Sequence, residues 1–184
     1  MPEYMSGSDD SDKYEIRSAN SADLESIRTL SINSFCSAFA DENNGDDIAA
    51  YVRETFSVEA LRGELASRDN TFLLLFLPAQ ESPVGYAKLR DGTTEPSVSG
   101  ERPVELERLY LDGAAIGRGF GSALMQASLD TAVGQGYKTI WLGVWEHNGR
   151  AIAYYKRWNF ETVGSHDFQL GSDAQNDWIM MRSL

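Results

Sequence analysis

The stretch VELERLYLDGAAIGRGFGSALMQASLDTAVGQGYKTIWLGVWEHNGRAIAYYKRWN, residues Val104–Asn159, decides the fold. It reads as an apolar strand, a glycine loop, a helix, a second strand and a helix that carries tyrosines. The loop Gly117, Arg118, Gly119, Phe120, Gly121 follows the strand that ends at Leu111 and opens a helix expected over Ser122–Gly134. Glycines between a strand end and a helix start expose successive backbone N–H groups at the positive end of a helix dipole, which suits a phosphate or pyrophosphate. A phosphate-bearing cofactor is therefore expected, and spacing must say which one.

Two familiar motifs fit poorly. A P-loop needs Gly-Lys-Ser/Thr at the helix start, whereas this helix opens Gly121-Ser122-Ala123. A dinucleotide fingerprint needs a small third residue, glycine or alanine, where Ser122 stands, with an acid at the end of the next strand. Glu146 can pose as that acid, so this reading is weakened without being removed. A plain glycine turn ahead of a helix is the simplest alternative.

The residues beyond this helix separate the alternatives. Thr139–Glu146 is a strand, and Asn148 begins a short helix through Ala151, Tyr154 and Tyr155 to Trp158, Asn159 and Phe160. The pattern resembles the GNAT superfamily of acetyl-CoA-dependent N-acetyltransferases, which carry an Arg/Gln-x-x-Gly-x-Gly/Ala pyrophosphate loop and an Asn-x-x-Ala-x-x-x-Tyr helix ending in Gly-Phe. The loop half falls on Ile116–Gly121, and the second half on Asn148, Ala151 and Tyr155. Ile116 stands where the family has Arg or Gln, which removes one side-chain contact to the cofactor, and Asn159-Phe160 replaces Gly-Phe. The segments 34–52 and 164–180 further resemble the PaiA-type polyamine acetyltransferases. The resemblance spans nearly the whole chain after Lys13.

The resemblance implies one GNAT-like α/β (α+β) domain over residues 14–184. Its mixed sheet of about seven strands is splayed at the cofactor site, with helices on both faces. Residues 1–13, acidic and serine-rich, read as a disordered tail. Composition agrees: 184 residues with 42% hydrophobic content suffice for one core. No apolar run approaches the ~20 residues of a membrane span. The single cysteine, Cys36, excludes an internal disulfide and fits a reducing cytoplasm; its neighbours Phe35 and Phe39 suggest a buried structural thiol. A net charge of −12 argues against nucleic acid and favours a cationic small molecule. No metal is implied, and a homodimer is left open.

Along the chain, Tyr14–Ser18 reads as a strand and Asn20-Ser21 as a helix cap. Helices are expected over 22–39, 46–56 and 58–68, and a hairpin over Thr71–Leu77 and Val84–Leu89. Residues 91–102 read as a loop. Glu161–Leu170 and Asp177–Arg182 read as a closing antiparallel pair.

The chemistry is dictated by amide formation. An amine near neutral pH is an ammonium that must lose a proton before it attacks a thioester, and the departing thiolate is best met by an acid. Glu105 and Glu107 lie two apart on one strand and so share a face; either, or both, serves as base in this reading, with pairing to Arg102 or Arg108 as the plain alternative. The family pattern makes Tyr155 the acid, while Tyr154 reads as a core aromatic. Asn148 caps its helix and, by resemblance, touches the cofactor. Leu109, Tyr110 and Leu111 offer backbone groups to the pantetheine arm as an added strand would. Gly117, Arg118, Gly119, Phe120, Gly121 and Ser122 surround the pyrophosphate. His147 falls outside the motif, and His166 reads as a structural strand residue.

The expected activity is transfer of acetyl from acetyl-CoA to a primary amine, a polyamine such as spermidine or spermine, by direct attack in a ternary complex. Asp41, Glu42, Asp46 and Asp47 are candidate acceptor carboxylates. The alternatives are acetylation of a protein N-terminus or another small amine, and an acyl-CoA sensor without turnover.

Overall fold

Short runs rich in Leu, Val, Ile and aromatic residues make the strands, because such side chains fit a pleated, half-buried surface. In the computed structural model, which describes residues 13–39, 45–170 and 173–184, these are β1 (Glu15–Ser18), β2 (Asn70–Phe76), β3 (Gly85–Arg90), β4 (Pro103–Leu111), β5 (Thr139–Trp145), β6 (Glu161–Leu170) and β7 (Asp173–Ser183). They form one seven-stranded sheet in the order β1-β2-β3-β4-β5-β7-β6. Helices α1 (Leu24–Phe39), α2 (Gly45–Thr55) and α3 (Val58–Ala66) cover one face; α4 (Phe120–Gly134) and α5 (Gly149–Arg157) cover the other.

Each face has its own core. Against α4 and α5 pack Val104, Leu106, Ile140, Leu142, Val144 and Met180, with Leu124, Met125 and Leu129 of α4 driven into them. Against α1–α3 pack Phe72, Leu74 and Tyr86, meeting Ile27, Phe35, Phe56 and Leu61. Each such large side chain contributes about 1.5–3 kcal/mol by leaving water.

One strand pair breaks the antiparallel rule. β4 and β5 are parallel, joined through α4, and pair only over Pro103–Glu105 against Thr139–Trp141. Past that register the strands separate, leaving the β5-facing edge of Leu106–Leu111 without a neighbouring strand. A bulge assists: Leu89 opposes Leu106 and Lys88 opposes Arg108, so Glu107 is the extra residue. A bulge bends its strand and increases the local twist.

Several boundaries differ from expectation. Asn20 does cap, its Oδ1 accepting from the Ala22 N–H at 2.9 Å, but a 3-10 turn over Ser21–Asp23 precedes α1. α4 begins at Phe120 rather than Ser122, because Gly119 takes the left-handed φ of +87° as N-cap and lets Phe120 and Gly121 enter the helix. β7 starts at Asp173, four residues before the expected Asp177. Except for Lys13, the expected tail lies outside the described residues. So do Asp41 and Glu42.

Candidate active site

The loop ahead of α4 is shaped by its glycines. Asp112 caps the short turn Gly113–Ala115 by accepting from the Ala114 N–H at 2.9 Å. The chain then climbs through Gly117 at φ +85° and Gly119 at φ +87°, values that a side chain strongly disfavours. A Cβ at either position would meet nothing within 4 Å, so backbone conformation, not crowding, demands glycine there. No side chain caps α4, whose first-turn amides at Phe120, Gly121 and Ser122 therefore await an acceptor. The Arg118 guanidinium lies 4.9 Å from the centroid of the Phe120 ring, and Ile116 is 41% exposed beside it. Backbone donors and one arginine thus converge on open space, which fits the pyrophosphate of a CoA thioester.

The second helix locks onto this cradle. Asn148 caps α5 by accepting from the Ala151 N–H at 3.1 Å, as its residue type implied. The Tyr154 hydroxyl donates to the Gly121 carbonyl at 2.9 Å, so this core tyrosine also ties α5 to the start of α4. Desolvation pushes its phenol up to about 12. Tyr155, packed edge-on against Phe160 and Tyr154, has its phenol pushed up as well, by desolvation and then by Tyr154. Among the described residues nothing hydrogen-bonds the Tyr155 hydroxyl.

Along the splayed edge, Leu109 and Tyr110 pair with Ala87 and Tyr86 on the β3 side only. The Leu111 carbonyl accepts from the Ser34 hydroxyl at 3.2 Å, which ties α1 to the end of β4.

Glu105 and Glu107 do lie together, joined by Arg90, which binds Glu105 at 2.7 Å and reaches Glu107 at 3.5 Å. Thr93 donates a further bond to Glu105 at 2.8 Å. Glu107 also pairs with Lys88 and Arg108, and both cations reach on to Glu64. Lys88 and Arg108 are buried, which explains the network: three carboxylates answer three cations. Of the pairing offered as the plain alternative, Arg108 does hold Glu107, whereas Glu105 is bound by Arg90.

Across the gap stands a group that sequence reasoning passed over. Gly143 is exposed in the middle of an otherwise buried β5. Over it hang Asp177 and His166: a Cβ at residue 143 would sit 3.6 Å from Asp177 Oδ2 and 3.9 Å from His166 Nε2. His166 Nδ1 lies 3.0 Å from Glu95 Oε1, reached across the 91–102 loop. Asp177 is pushed up by burial and by Glu146, against the pull of His166. No lysine or arginine pairs with Glu95, Glu146 or Asp177 among the described residues. From α2, the charges of Glu107 and Asp177 both act on the Tyr51 phenol, which burial pushes up. Two residues before Gly143, on the same face of β5, the buried Trp141 indole N–H has no partner. Only the adjacency of His166 and Asp177 to the tail motif hinted at this wall in the sequence.

Other features stand apart. A hollow of about 630 Å³ lies on α1–α3, lined by Arg28, Cys36, Ile48 and Val52. Cys36 is half-buried there, not the fully buried thiol its neighbours implied. Among the described residues no group of His, Cys, Asp and Glu could hold a metal, and no helix is long and apolar enough to cross a membrane.

An open strand pair, a glycine loop opening a helix and a desolvated phenol on the following helix suit an acyl-CoA-dependent acyltransferase. The chain belongs to the acetyltransferase (GNAT) family, whose pattern it matches over residues 29–160, and it is an N-acetyltransferase with acetyl-CoA as co-substrate. An uncharacterized N-acetyltransferase of Lactobacillus delbrueckii subsp. lactis is 29% identical over 162 residues, 88% of this chain and 92% of that protein. The fold superposes on a PaiA N-acetyltransferase of Thermoplasma acidophilum in complex with coenzyme A, with TM-score 0.74, 23% identity and coverage of 93% and 99% of the two chains. It also resembles the ribosomal-protein-S18-alanine N-acetyltransferase of Escherichia coli, with TM-score 0.63, 16% identity and coverage of 92% and 93%.

Proposed function

We propose that this chain acetylates a primary amine of a polyamine, in the cytoplasm, by direct attack within a ternary complex. The observation that carries the acceptor class is the far wall: Asp177 lies beside Gly143, Glu95 holds the neighbouring His166 and Glu146 adds its charge to that of Asp177, with no lysine or arginine paired to any of the three among the described residues. A polycation meets negative charge there, in a protein of net charge −12. The likeness to the PaiA enzyme agrees with this reading.

In this reading the amides of Gly117–Ser122, with Arg118, hold the pyrophosphate. The free β4 edge at Leu109 and Tyr110 pairs with the pantetheine amides. Acetyl-CoA supplies an activated acyl carbon. Glu107 and Glu105, already matched by Lys88, Arg90 and Arg108, form a fixed wall that accepts hydrogen bonds from the amine. Tyr155, whose hydroxyl no described protein group engages, gives its proton to the departing sulfur. Half-buried Cys36 lines a different hollow on α1, so no acyl-enzyme is invoked.

Mass spectrometry of reactions with acetyl-CoA tests this against a panel of spermidine, spermine, matched monoamines and peptides with free N-termini. Spermidine should exceed its matched monoamine in kcat/KM by at least about tenfold, and the advantage should shrink as salt rises. Preference for a peptide N-terminus, in keeping with the Escherichia coli enzyme's protein acceptor, would overturn the polyamine assignment. Tight acetyl-CoA binding with no turnover on any amine would instead mark an acyl-CoA sensor.

A further inference from the structure

Amide formation from an ammonium needs a group to take its proton, and the two carboxylates expected to do so are held by cations. Glu105 is bound by Arg90 and Thr93, and Glu107 by Lys88, Arg90 and Arg108. Oxygens so engaged have fewer lone pairs left to take an ammonium proton.

The imidazole of His166 is placed otherwise. Glu95 is a carboxylate and can only accept, so the 3.0 Å contact fixes the proton on Nδ1. That leaves the Nε2 lone pair turned toward Gly143, 3.9 Å from where a Cβ would begin. The missing side chain at residue 143 opens the space that a reacting nitrogen, or one bridging water, needs. Asp177 Oδ2 borders the same opening, 3.9 Å from Nε2, so the imidazolium formed on proton uptake has a carboxylate near each ring nitrogen. Carboxylate, oriented imidazole and open space are the parts of a general base.

We infer that His166, oriented by Glu95 and flanked by Asp177, is the general base of the transfer. The inference rests on the acetyltransfer reading above. His166 Nε2 takes one proton from the ammonium, directly or through a water, leaving a neutral amine. That nitrogen attacks the acyl carbon; the N–C bond forms and the C–S bond breaks. Sulfur leaves with the electron pair and takes the Tyr155 proton. The second nitrogen proton restores Tyr155 through solvent, and His166 releases its own to bulk. One ammonium and one thioester thus give one amide, one thiol and one proton.

Among the described residues, few titratable groups surround His166. They are Glu95 from the 91–102 loop, Asp177 from β7, Glu146 with His147 at the end of β5, and Tyr51 from α2, whose first turn carries Asp46 and Asp47. Burial pushes Asp177 up, and a positive charge on His166 pulls against that.

Two measurements test the inference. Without any co-substrate, nitrogen-15 NMR of the two histidines, assigned with His166→Gln, should find His166 in the Nδ1–H tautomer; the Nε2–H tautomer would overturn the proposal. In turnover with spermidine, His166→Gln should lower kcat by ~10²–10⁴ and abolish the acid limb of the pH–rate profile. Its calorimetric acetyl-CoA affinity should stay within about twofold of wild type. Imidazole should partly restore His166→Ala. Glu107→Gln should keep the acid limb. If His166→Gln retains rate and limb, or if Glu107→Gln alone removes the limb, the base returns to β4. A wild type that acetylates no amine removes the acetyltransfer reading itself, whereas a working wild type with an unchanged His166→Gln removes only this inference.

Discussion

Tyr154 and Tyr155 are adjacent, yet their hydroxyls meet opposite fates. The first is spent on the Gly121 carbonyl, and the second is desolvated without a hydrogen-bond partner among the described residues. A desolvated phenol with no hydrogen bond costs stability, and such a cost persists where a bound group completes the pair. Tyr155→Phe should therefore lower kcat by ~10²–10⁴ while calorimetry shows acetyl-CoA affinity almost unchanged. Near-normal turnover would reduce Tyr155 to packing against Phe160. The alternation of helix faces placed both tyrosines on α5, but only the position of α4 shows which one is engaged.

At the scale of elements, the turn into α4 and the joint between α3 and the sheet carry the clearest consequences. Gly119→Val forces a β-branched residue to φ +87° where a Cβ meets nothing within 4 Å, so the damage falls on loop conformation. Calorimetric acetyl-CoA binding should disappear while circular dichroism stays native; unchanged affinity would take the loop out of the site. Glu64 joins α3 to the sheet through the buried cations Lys88 and Arg108. Burial pushes its carboxyl up, but the Arg108 hydrogen bond and charge, with Lys88, outweigh this and hold it below the usual carboxylate range. Glu64→Ala leaves both cations short of a partner and should cost about 3–5 kcal/mol in urea unfolding. Because the folded value is the lower one, this stabilisation is complete above the unfolded carboxylate value. It is lost as pH falls through the folded value. Wild-type Tm should therefore drop more steeply in acid than that of Glu64→Gln; parallel curves would show that Glu64 does not supply this dependence.

For the whole molecule, charge is distributed rather than merely excessive. The β4 wall is matched cation for carboxylate, whereas the wall beyond β5 carries Glu95, Asp177 and Glu146 with only the imidazoles of His166 and His147 against them among the described residues. One face of the gap is thus rigid and near neutral, and the other is negative. That asymmetry is invisible in a net charge of −12, which sums over both.

The chain's order of residues was enough to identify the strand–loop–helix–strand–helix core. Glycines that tolerate positive φ, an asparagine that caps and a run of apolar strand residues act within a few neighbours. Local chemistry of this kind survives in a string of letters. The same holds for the capping role of Asn148 and the shared face of Glu105 and Glu107. Only the tertiary structure decided which acids are neutralised and which are open. Lys88 reaches Glu64 and Glu107 because β3, β4 and α3 converge. Glu95 reaches His166 from another part of the chain because the 91–102 loop crosses the sheet. Such pairings depend on strand order, on the bulge at Glu107 and on the separation of β4 from β5. Those are set by the balance of packing over both faces at once, a sum over distant residues that no local pattern contains.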